Sequence, residues 1–220
     1  MMQELWTAVD RYITDNVVLE DDVLRAATDA AAAAGLPAIS VTPGEGKLLY
    51  LLARLMGART VLEIGTLAGY STIWLGRAIG ALGRVITLEA DPAHAEVARA
   101  NLARAGLDTI VDVRVGKALD TLPLVASAAP FDLVFIDANK EDNPEYFQWA
   151  LRLARPKSLI IVDNVVRSGE VINADTTDPR VVGVRQLNAL LAAEKRVSAT
   201  TIQTVGAKGY DGFTLALVNE

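Results

Sequence analysis

Short runs of β-branched and apolar residues alternate with amphipathic segments through most of this 220-residue chain. Each run has the length and composition of a buried strand, and the segments between the runs have helical periodicity. Strands joined by helices pair in parallel, so the alternation predicts an α/β fold with a Rossmann-like, doubly wound and mostly parallel sheet. The strand-like runs are TVLEI (60–64), RVITL (84–88), IVDVRV (110–115), FDLVFID (131–137) and SLIIVD (158–163).

The two ends of the chain depart from this alternation. Two more strand-like runs, SATTIQT (198–204) and GFTLALV (212–218), are joined only by the turn-rich VGAKGYD, which predicts an antiparallel C-terminal hairpin that completes a seven-stranded sheet. Before the first strand the periodicity is helical, and it predicts N-terminal capping helices. We therefore expect a single domain, with a helical cap over residues 1–58 and a nucleotide-binding sheet core over residues 59–220.

The composition argues against several classes of protein. Cysteine is absent, which excludes disulfides, zinc thiolates and cysteine nucleophiles and fits a cytoplasmic protein. A formal net charge of −6 leaves no basic face for a phosphate backbone, so we expect no nucleic-acid partner. The N-terminal stretch MMQELWTAVDRYITDN carries acidic residues and no apolar core run, so we expect neither a signal peptide nor a membrane span.

The first strand leads directly into a glycine turn, in the stretch VLEIGTLAGYS (61–71). Gly65 and Gly69, followed by a helix from about Tyr70, would bring bare backbone and a helix N-terminus to the crevice at the carboxyl edge of the sheet. The next strand ends at Glu89, where nucleotide-binding sheets place the acid that binds ribose hydroxyls. Singly, these residues fit a tight turn and a solvated strand end equally well. Together they favour a bound nucleoside.

Glu63 indicates which nucleoside to expect. The turn reads G-T-L-A-G where the dinucleotide fingerprint is G-x-G-x-x-G, and a carboxylate just ahead of the turn would repel a pyrophosphate. A cofactor with a cationic sulfonium and a free amino group would instead be attracted to Glu63, either directly or through backbone and water. S-adenosylmethionine has both groups, so we expect it as the cofactor.

Two later strands also end in oxygen-bearing side chains at the same edge. FIDANK supplies Asp137, with Lys140 close behind, and LIIVDN supplies Asp163 and Asn164. Three oxygen donors without nitrogen or sulfur form a hard site, which suits Mg²⁺ first and also Mn²⁺ or Ca²⁺. Alone, Asp163 and Asn164 are better explained as caps of a turn. Asp137 on the neighbouring strand shifts the interpretation towards a metal site.

Six motifs follow one another in the order and spacing of a known family: ISVTPGEGKLL, LEIGTLAGYS, LEAD, GKALDTL, FIDANK and IIVDNVV. From about Ile39 to its C-terminus the chain resembles the cation-dependent small-molecule O-methyltransferases, the group that contains caffeoyl-CoA and catechol O-methyltransferases. The resemblance implies a divalent cation on Asp137, Asp163 and Asn164, and it places Lys140 beside the reacting hydroxyl. It implies cofactor contacts from Val41, Glu63, Gly65, Thr66, Ser71, Glu89, Ala118 and Asp137, to which the turn itself adds Gly69.

Two departures from the family pattern concern the acceptor. Asp142 and Asn143 stand where the plant enzymes have Asn-Tyr, and VVRSG stands where those enzymes have a segment with a tryptophan. These positions lie near the acceptor in the family, which argues against a caffeoyl-CoA substrate. Tyr146 and Arg167 are weaker candidates for substrate contacts, and the helical spacing of Tyr146 fits core packing better.

The expected reaction is methyl transfer from S-adenosylmethionine to a hydroxyl of an ortho-dihydroxylated aromatic molecule. A phenol with a pKa of about 10 is mostly protonated at neutral pH. Two vicinal hydroxyls that chelate Mg²⁺ would ionise more easily, with Lys140 as the candidate base. A nicotinamide-dependent dehydrogenase and a non-catalytic nucleoside-binding module on the same sheet are the alternatives. We also expect a homodimer, paired through apolar faces of the N-terminal helices.

Overall fold

The computed structural model describes all 220 residues and is built on a seven-stranded sheet with the strand order β3-β2-β1-β4-β5-β7-β6. Strands β1 to β5 pair in parallel, and β7 pairs antiparallel with both β5 and β6. The predicted mostly parallel sheet with an antiparallel C-terminal hairpin is therefore confirmed. The strands are β1 (Thr60–Ile64), β2 (Arg84–Glu89), β3 (Val111–Val115), β4 (Phe131–Ile136), β5 (Ala154–Asp163), β6 (Val197–Gly206) and β7 (Gly209–Val218).

Eight α-helices surround the sheet, and three of them precede β1, as the sequence predicts. The helices are α1 (Met2–Ile13), α2 (Asp22–Ala33), α3 (Pro43–Leu55), α4 (Tyr70–Ile79), α5 (Pro92–Arg104), α6 (Ala118–Thr121), α7 (Asn143–Leu153) and α8 (Pro179–Ala193). A π-helical segment covers Thr14–Val18, and 3₁₀ segments cover Leu122–Ala128, Lys140–Asp142 and Arg167–Ile172. None of the helices combines the length and the apolar character that a membrane crossing requires.

An apolar core lies on each face of the sheet, because successive side chains of a strand point to opposite faces. On one face, the core around Val61 and Leu133 is covered by α2, α3, α4 and α5. On the other face, the core around Leu62 and Val134 is covered by α6, α7 and α8. Two covered faces explain why the central strands are mostly apolar on both faces, with β4 buried at all six positions.

The strand order decides where the functional residues meet. Strands β2, β1, β4 and β5 lie side by side and run in the same direction. Their carboxyl ends therefore form one continuous edge, at Glu89, Ile64, Ile136 and Asp163. The residues that directly follow these ends share one crevice, as open α/β sheets require.

Candidate active site

The turn after β1 approaches the backbone after β4 closely. Gly65 has a φ of +100°, and a Cβ at this position would lie 2.4 Å from the Asp137 carbonyl oxygen. Gly69 has a φ of +80° and precedes α4, which begins at Tyr70. Both glycines are therefore required by the backbone itself, in addition to any ligand that approaches the turn.

Glu63 is fully buried at the end of β1 and accepts hydrogen bonds from three hydroxyl groups. Ser71 Oγ lies 2.7 Å from one carboxylate oxygen, and Thr87 Oγ1 lies 2.6 Å from the other, which also accepts from Thr72. Burial raises the pKa of Glu63 to about 7, and the three hydroxyl donors oppose that rise. Both oxygens of Glu63 thus accept hydrogen bonds from protein hydroxyls, and one of these hydroxyls belongs to Ser71 in the first turn of α4.

Glu89 at the end of β2 organises the glycine turn. Its Oε2 accepts hydrogen bonds from the backbone nitrogens of Thr66 at 3.2 Å and Leu67 at 2.7 Å, and its Oε1 accepts from the backbone nitrogen of Asp91 at 2.9 Å. His94 on α5 lies beside it, with Nδ1 3.6 Å from Glu89 Oε1. This contact between His94 and Glu89 is visible only in the fold.

The remaining predicted cofactor residues border the same edge from other elements. Val41 is buried just before α3, and Ala118 is buried at the start of α6, which follows β3. Thr66 is buried in the turn, and its Oγ1 lies 2.6 Å from Thr87 Oγ1. The cofactor contacts of these side chains, and those of Glu63, Gly65, Gly69, Ser71 and Glu89, stay predictions.

Asp137 and Lys140 form an ion pair just beyond β4. Lys140 Nζ lies 2.8 Å from Asp137 Oδ1, and only 7% of Lys140 is exposed. A lysine this buried is rare without a partner, because an isolated ammonium loses its hydration. The 3₁₀ turn Lys140–Asp142 holds the side chain at the crevice.

Asp163 at the end of β5 is 5% exposed, and it lies near two other carboxylates but only one cationic side chain. Burial, followed by the nearby carboxylates of Asp137 and Glu45, raises the pKa of Asp163 to about 8, while Lys140 opposes the rise. Its side chain accepts one hydrogen bond, from the backbone nitrogen of Asn164 at 2.8 Å. The sequence did not single out Glu45, although T-x-x-E before an apolar run is the capping-box signal, and Glu45 caps α3 with Thr42.

The predicted metal ligands are two carboxylates and one amide. No group of three or more acidic, histidine or cysteine side chains is arranged around a cation position. The donor chemistry of Asp137, Asp163 and Asn164 fits a hard divalent cation, which keeps water or ligand oxygens in its other positions. Such a cation would also offset the repulsion among the carboxylates of Asp163, Asp137 and Glu45, which adds to burial in raising the pKa of Asp163.

The two weaker candidates for substrate contacts stabilise loops. Tyr146 is buried on α7, and its hydroxyl donates to Asn139 Oδ1 at 2.6 Å. Arg167 lies in the segment after Asn164, and its Nη1 is 3.8 Å from Asp211 Oδ2. Asp211 also accepts hydrogen bonds from the backbone nitrogens of Val166 and Arg167, both at 2.9 Å. The expectation of core packing for Tyr146 agrees with its position.

An apolar cleft opens beside Asp163, between α3 and the sheet. Two acidic side chains, Glu45 and Asp163, lie among seven hydrophobic ones. The hydrophobic lining consists of Val41, Leu48, Leu49, Leu52, Phe135, Ile161 and Phe213. The cleft thus places two carboxylates beside an apolar surface.

A crevice at the carboxyl edge of a doubly wound sheet, with a glycine turn on one side and acidic side chains on the other, is typical of enzymes that bind a nucleoside cofactor. The family model for O-methyltransferases matches residues 14–218 of this chain. The chain therefore belongs to the O-methyltransferase family. This membership confirms the family that the six motifs indicated, and it does not favour a dehydrogenase or a non-catalytic binding module.

Individual relatives agree over nearly the whole chain. A catechol O-methyltransferase of Niastella koreensis is 54% identical over 220 residues, which cover 99% of this chain and 100% of that protein. The solved structure of an O-methyltransferase from Bacillus cereus in complex with SAH is 55% identical, with a TM-score of 0.97, and covers 99% of this chain and 100% of its own. TomG from Streptomyces achromogenes, solved in complex with SAM, is 51% identical with a TM-score of 0.97 and full coverage of both chains.

Proposed function

We propose that this enzyme transfers a methyl group from S-adenosylmethionine to one hydroxyl of an ortho-diphenol, with the help of a divalent cation. The observation that carries the proposal is the meeting of Asp137, Lys140, Asp163 and Asn164 at one sheet edge, next to the glycine turn. The names of the relatives support it, since one is a catechol O-methyltransferase and two were solved with SAH or SAM.

The cofactor would lie across the carboxyl ends of β1, β2 and β4. Gly65 and Gly69 would leave space for it, Ser71 would donate from the start of α4, and Glu89 would accept from the ribose hydroxyls. Glu89 already receives three backbone hydrogen bonds, so it would hold the turn and the ribose together. Val41, Thr66, Ala118 and Asp137 would complete the contacts.

The acceptor would lie over the acidic side of the crevice. Asp137, Asp163 and Asn164 would hold Mg²⁺, or Mn²⁺ or Ca²⁺, and a bound divalent cation lowers the pKa of a hydroxyl and fixes its position. Lys140 stands next to Asp137, and in its neutral form its Nζ would take the proton of the acceptor hydroxyl. The apolar cleft beside Asp163 would hold the ring and exclude water.

Removal of divalent cations tests the proposal directly. Enzyme treated with a chelator should bind S-adenosylmethionine with unchanged affinity in calorimetry and should lose turnover of catechol. Added Mg²⁺ should restore the turnover. Full turnover in chelator would overturn the cation requirement, and absence of cofactor binding would overturn the assigned methyl donor.

The choice of acceptor can be tested with three small phenols of nearly the same size. Catechol, resorcinol and phenol differ in whether a second hydroxyl is present and whether it is adjacent. We expect methylation of catechol and little methylation of the other two, because only vicinal hydroxyls chelate one cation. Equal rates on catechol and resorcinol would contradict chelation, although not methyl transfer itself.

We also propose a homodimer. Helix α1 has no buried residue, and its apolar side chains Leu5, Val9, Tyr12 and Ile13 are exposed. An exposed apolar helix face is typical of an interface, and symmetric pairing is the commonest form of assembly. Light scattering should give twice the mass of one chain, and Leu5→Glu with Val9→Glu should reduce it to one. A monomeric wild-type protein would refute the proposal.

The proposed partners and location follow from charge and composition. The net charge of −6 supports a small-molecule substrate over a nucleic acid. The lack of cysteine is compatible with work in the cytoplasm. Cell fractionation with an antibody to this chain would test the location.

A further inference from the structure

A glycine occupies the interior of α8, where it is unfavourable for the helix. Gly183 is the fifth residue of the 15-residue helix Pro179–Ala193 and is buried. Glycine in a helix interior costs about 1 kcal/mol relative to alanine. Its φ is not positive, so the backbone conformation would accept a side chain. The reason for glycine at this position must therefore be the atoms that a side chain would meet.

The contact of Gly183 is with the backbone of the Lys140 turn. A Cβ on Gly183 would lie 2.2 Å from the Lys140 carbonyl oxygen, 2.8 Å from the Glu141 carbonyl oxygen and 2.9 Å from the Glu141 Cα. These atoms belong to the main chain, so they cannot give way by a change of rotamer. An added methyl group would have to separate α8 and the Lys140 carbonyl by more than about 1 Å to reach ordinary van der Waals contact.

The Lys140 turn is also held from the side of α7. The Tyr146 hydroxyl donates to Asn139 Oδ1 at 2.6 Å, and Asn139 Nδ2 donates to Asp142 Oδ2 at 2.7 Å. The turn thus lies between a hydrogen-bonded group on α7 and a backbone contact on α8. Because Lys140 is itself 7% exposed, the position of its Nζ follows from the position of this backbone.

We propose that Gly183 is a positioning residue for Lys140. Because Gly183 has no side chain, α8 can pack directly against the Lys140 carbonyl. In this backbone position, Lys140 Nζ lies 2.8 Å from Asp137 Oδ1, at the edge of the proposed acceptor site. Gly183 does not touch the crevice and acts only through Lys140. The inference rests on the proposed function, in which Lys140 accepts the proton of the acceptor hydroxyl.

The test is a double-mutant cycle of Gly183→Ala with Lys140→Ala. Gly183→Ala should lower kcat for catechol by roughly 10²-fold, the effect of a displacement of about 1 Å at a catalytic group. The calorimetric Kd of S-adenosylmethionine should stay the same. In the Lys140→Ala background, Gly183→Ala should cause no further loss, because residues that act as one unit are not additive. Turnover is expressed per mole of cofactor-binding sites.

A matched glycine substitution serves as the control. Gly44 is also helical, and the nearest atom to a Cβ there is Thr42 Oγ1 at 4.0 Å, so Gly44→Ala should keep wild-type kcat. Full activity of Gly183→Ala would overturn the proposal. Unfolding, loss of cofactor binding, or an equal loss in both backgrounds would also overturn it, because each would give the contact a structural role only. If Lys140→Ala itself retained activity, the proposed base would fail instead.

Discussion

The two sides of the carboxyl edge treat their buried carboxylates differently. On the cofactor side, Glu63 accepts from three hydroxyls and Glu89 from three backbone amides. On the acceptor side, Asp163 accepts from one backbone nitrogen and faces the carboxylates of Asp137 and Glu45, with Lys140 as the nearby cation. Buried charges require compensation. The first side supplies much of it through six hydrogen bonds from the protein, whereas the second side supplies one backbone hydrogen bond and the ammonium of Lys140.

The substitution with the largest expected effect is Asp163→Ala, which should disrupt the acceptor side and leave the cofactor side intact. Asp163→Ala removes a charged ligand of the proposed metal site, and we expect cation-dependent turnover of catechol to fall by at least roughly 10³-fold, since metal catalysis contributes several kcal/mol. Calorimetry should show an unchanged Kd for S-adenosylmethionine, because the predicted cofactor residues around Gly65, Ser71 and Glu89 follow β1 and β2 and not β5. A tenfold or larger change in that Kd would show that the two sides are not independent.

Lys140→Ala separates the base from the metal ligands. We expect kcat to fall by roughly 10²–10⁴-fold near neutral pH, the usual contribution of a positioned general base. Mg²⁺ should still restore activity with a similar concentration dependence, since Asp137, Asp163 and Asn164 are intact. Part of the loss should return as the pH rises, because hydroxide can then ionise the bound acceptor. Full activity at neutral pH would exclude Lys140 as the base.

Glu89→Ala breaks only the cofactor side. The substitution removes an acceptor of three backbone hydrogen bonds from the glycine turn and its continuation, and bonds to a charged group contribute about 1.5–3 kcal/mol. We expect the Kd of S-adenosylmethionine to rise roughly 10- to 10²-fold. The Mg²⁺ concentration for half-maximal rate, measured at saturating cofactor, should not change. A weaker response to Mg²⁺ with normal cofactor affinity would reverse the assignment of the two sides.

Most of the fold could be predicted because each strand carries its own local signal. Alternation of apolar runs with helical segments determined the parallel strands, and the short polar link determined the hairpin. The ends of strands were harder to predict. Strand β5 begins at Ala154, four residues before the predicted Ser158, and Ala154 pairs with Phe131 across an irregular register. Pairing of this kind depends on a neighbour distant in sequence, which a local pattern does not contain.

The same distinction applies to the site. Asp137, Asp163 and Glu89 could be predicted because a parallel sheet brings strand ends together whatever the loops do. Glu45 and Gly183 could not be predicted, because their roles depend on contacts of α3 with β5 and of α8 with the Lys140 turn. Such helix placements follow from packing of the whole core, and no spacing in the sequence reports them.

The smallest expected effect concerns Glu63 and appears in stability. Its pKa is about 7 in the folded protein and 4.5 as the ordinary value, so the folded state holds a proton that the unfolded state has released between these values. The resulting stabilisation is complete below pH 4.5 and is lost as the pH rises through about 7. Between pH 5 and pH 8, the wild type should lose about 2 kcal/mol more stability than Glu63→Gln, whose side chain does not titrate. For a chain of this size, that difference corresponds to roughly 4–8 °C in Tm.

Thermal unfolding of the wild type and of Glu63→Gln in chelator measures this difference, since Asp163 and the other acids are common to both proteins. Parallel curves would mean that the three hydroxyl donors stabilise the ionised carboxylate fully, and the cofactor side would then be even better compensated than the structure indicates.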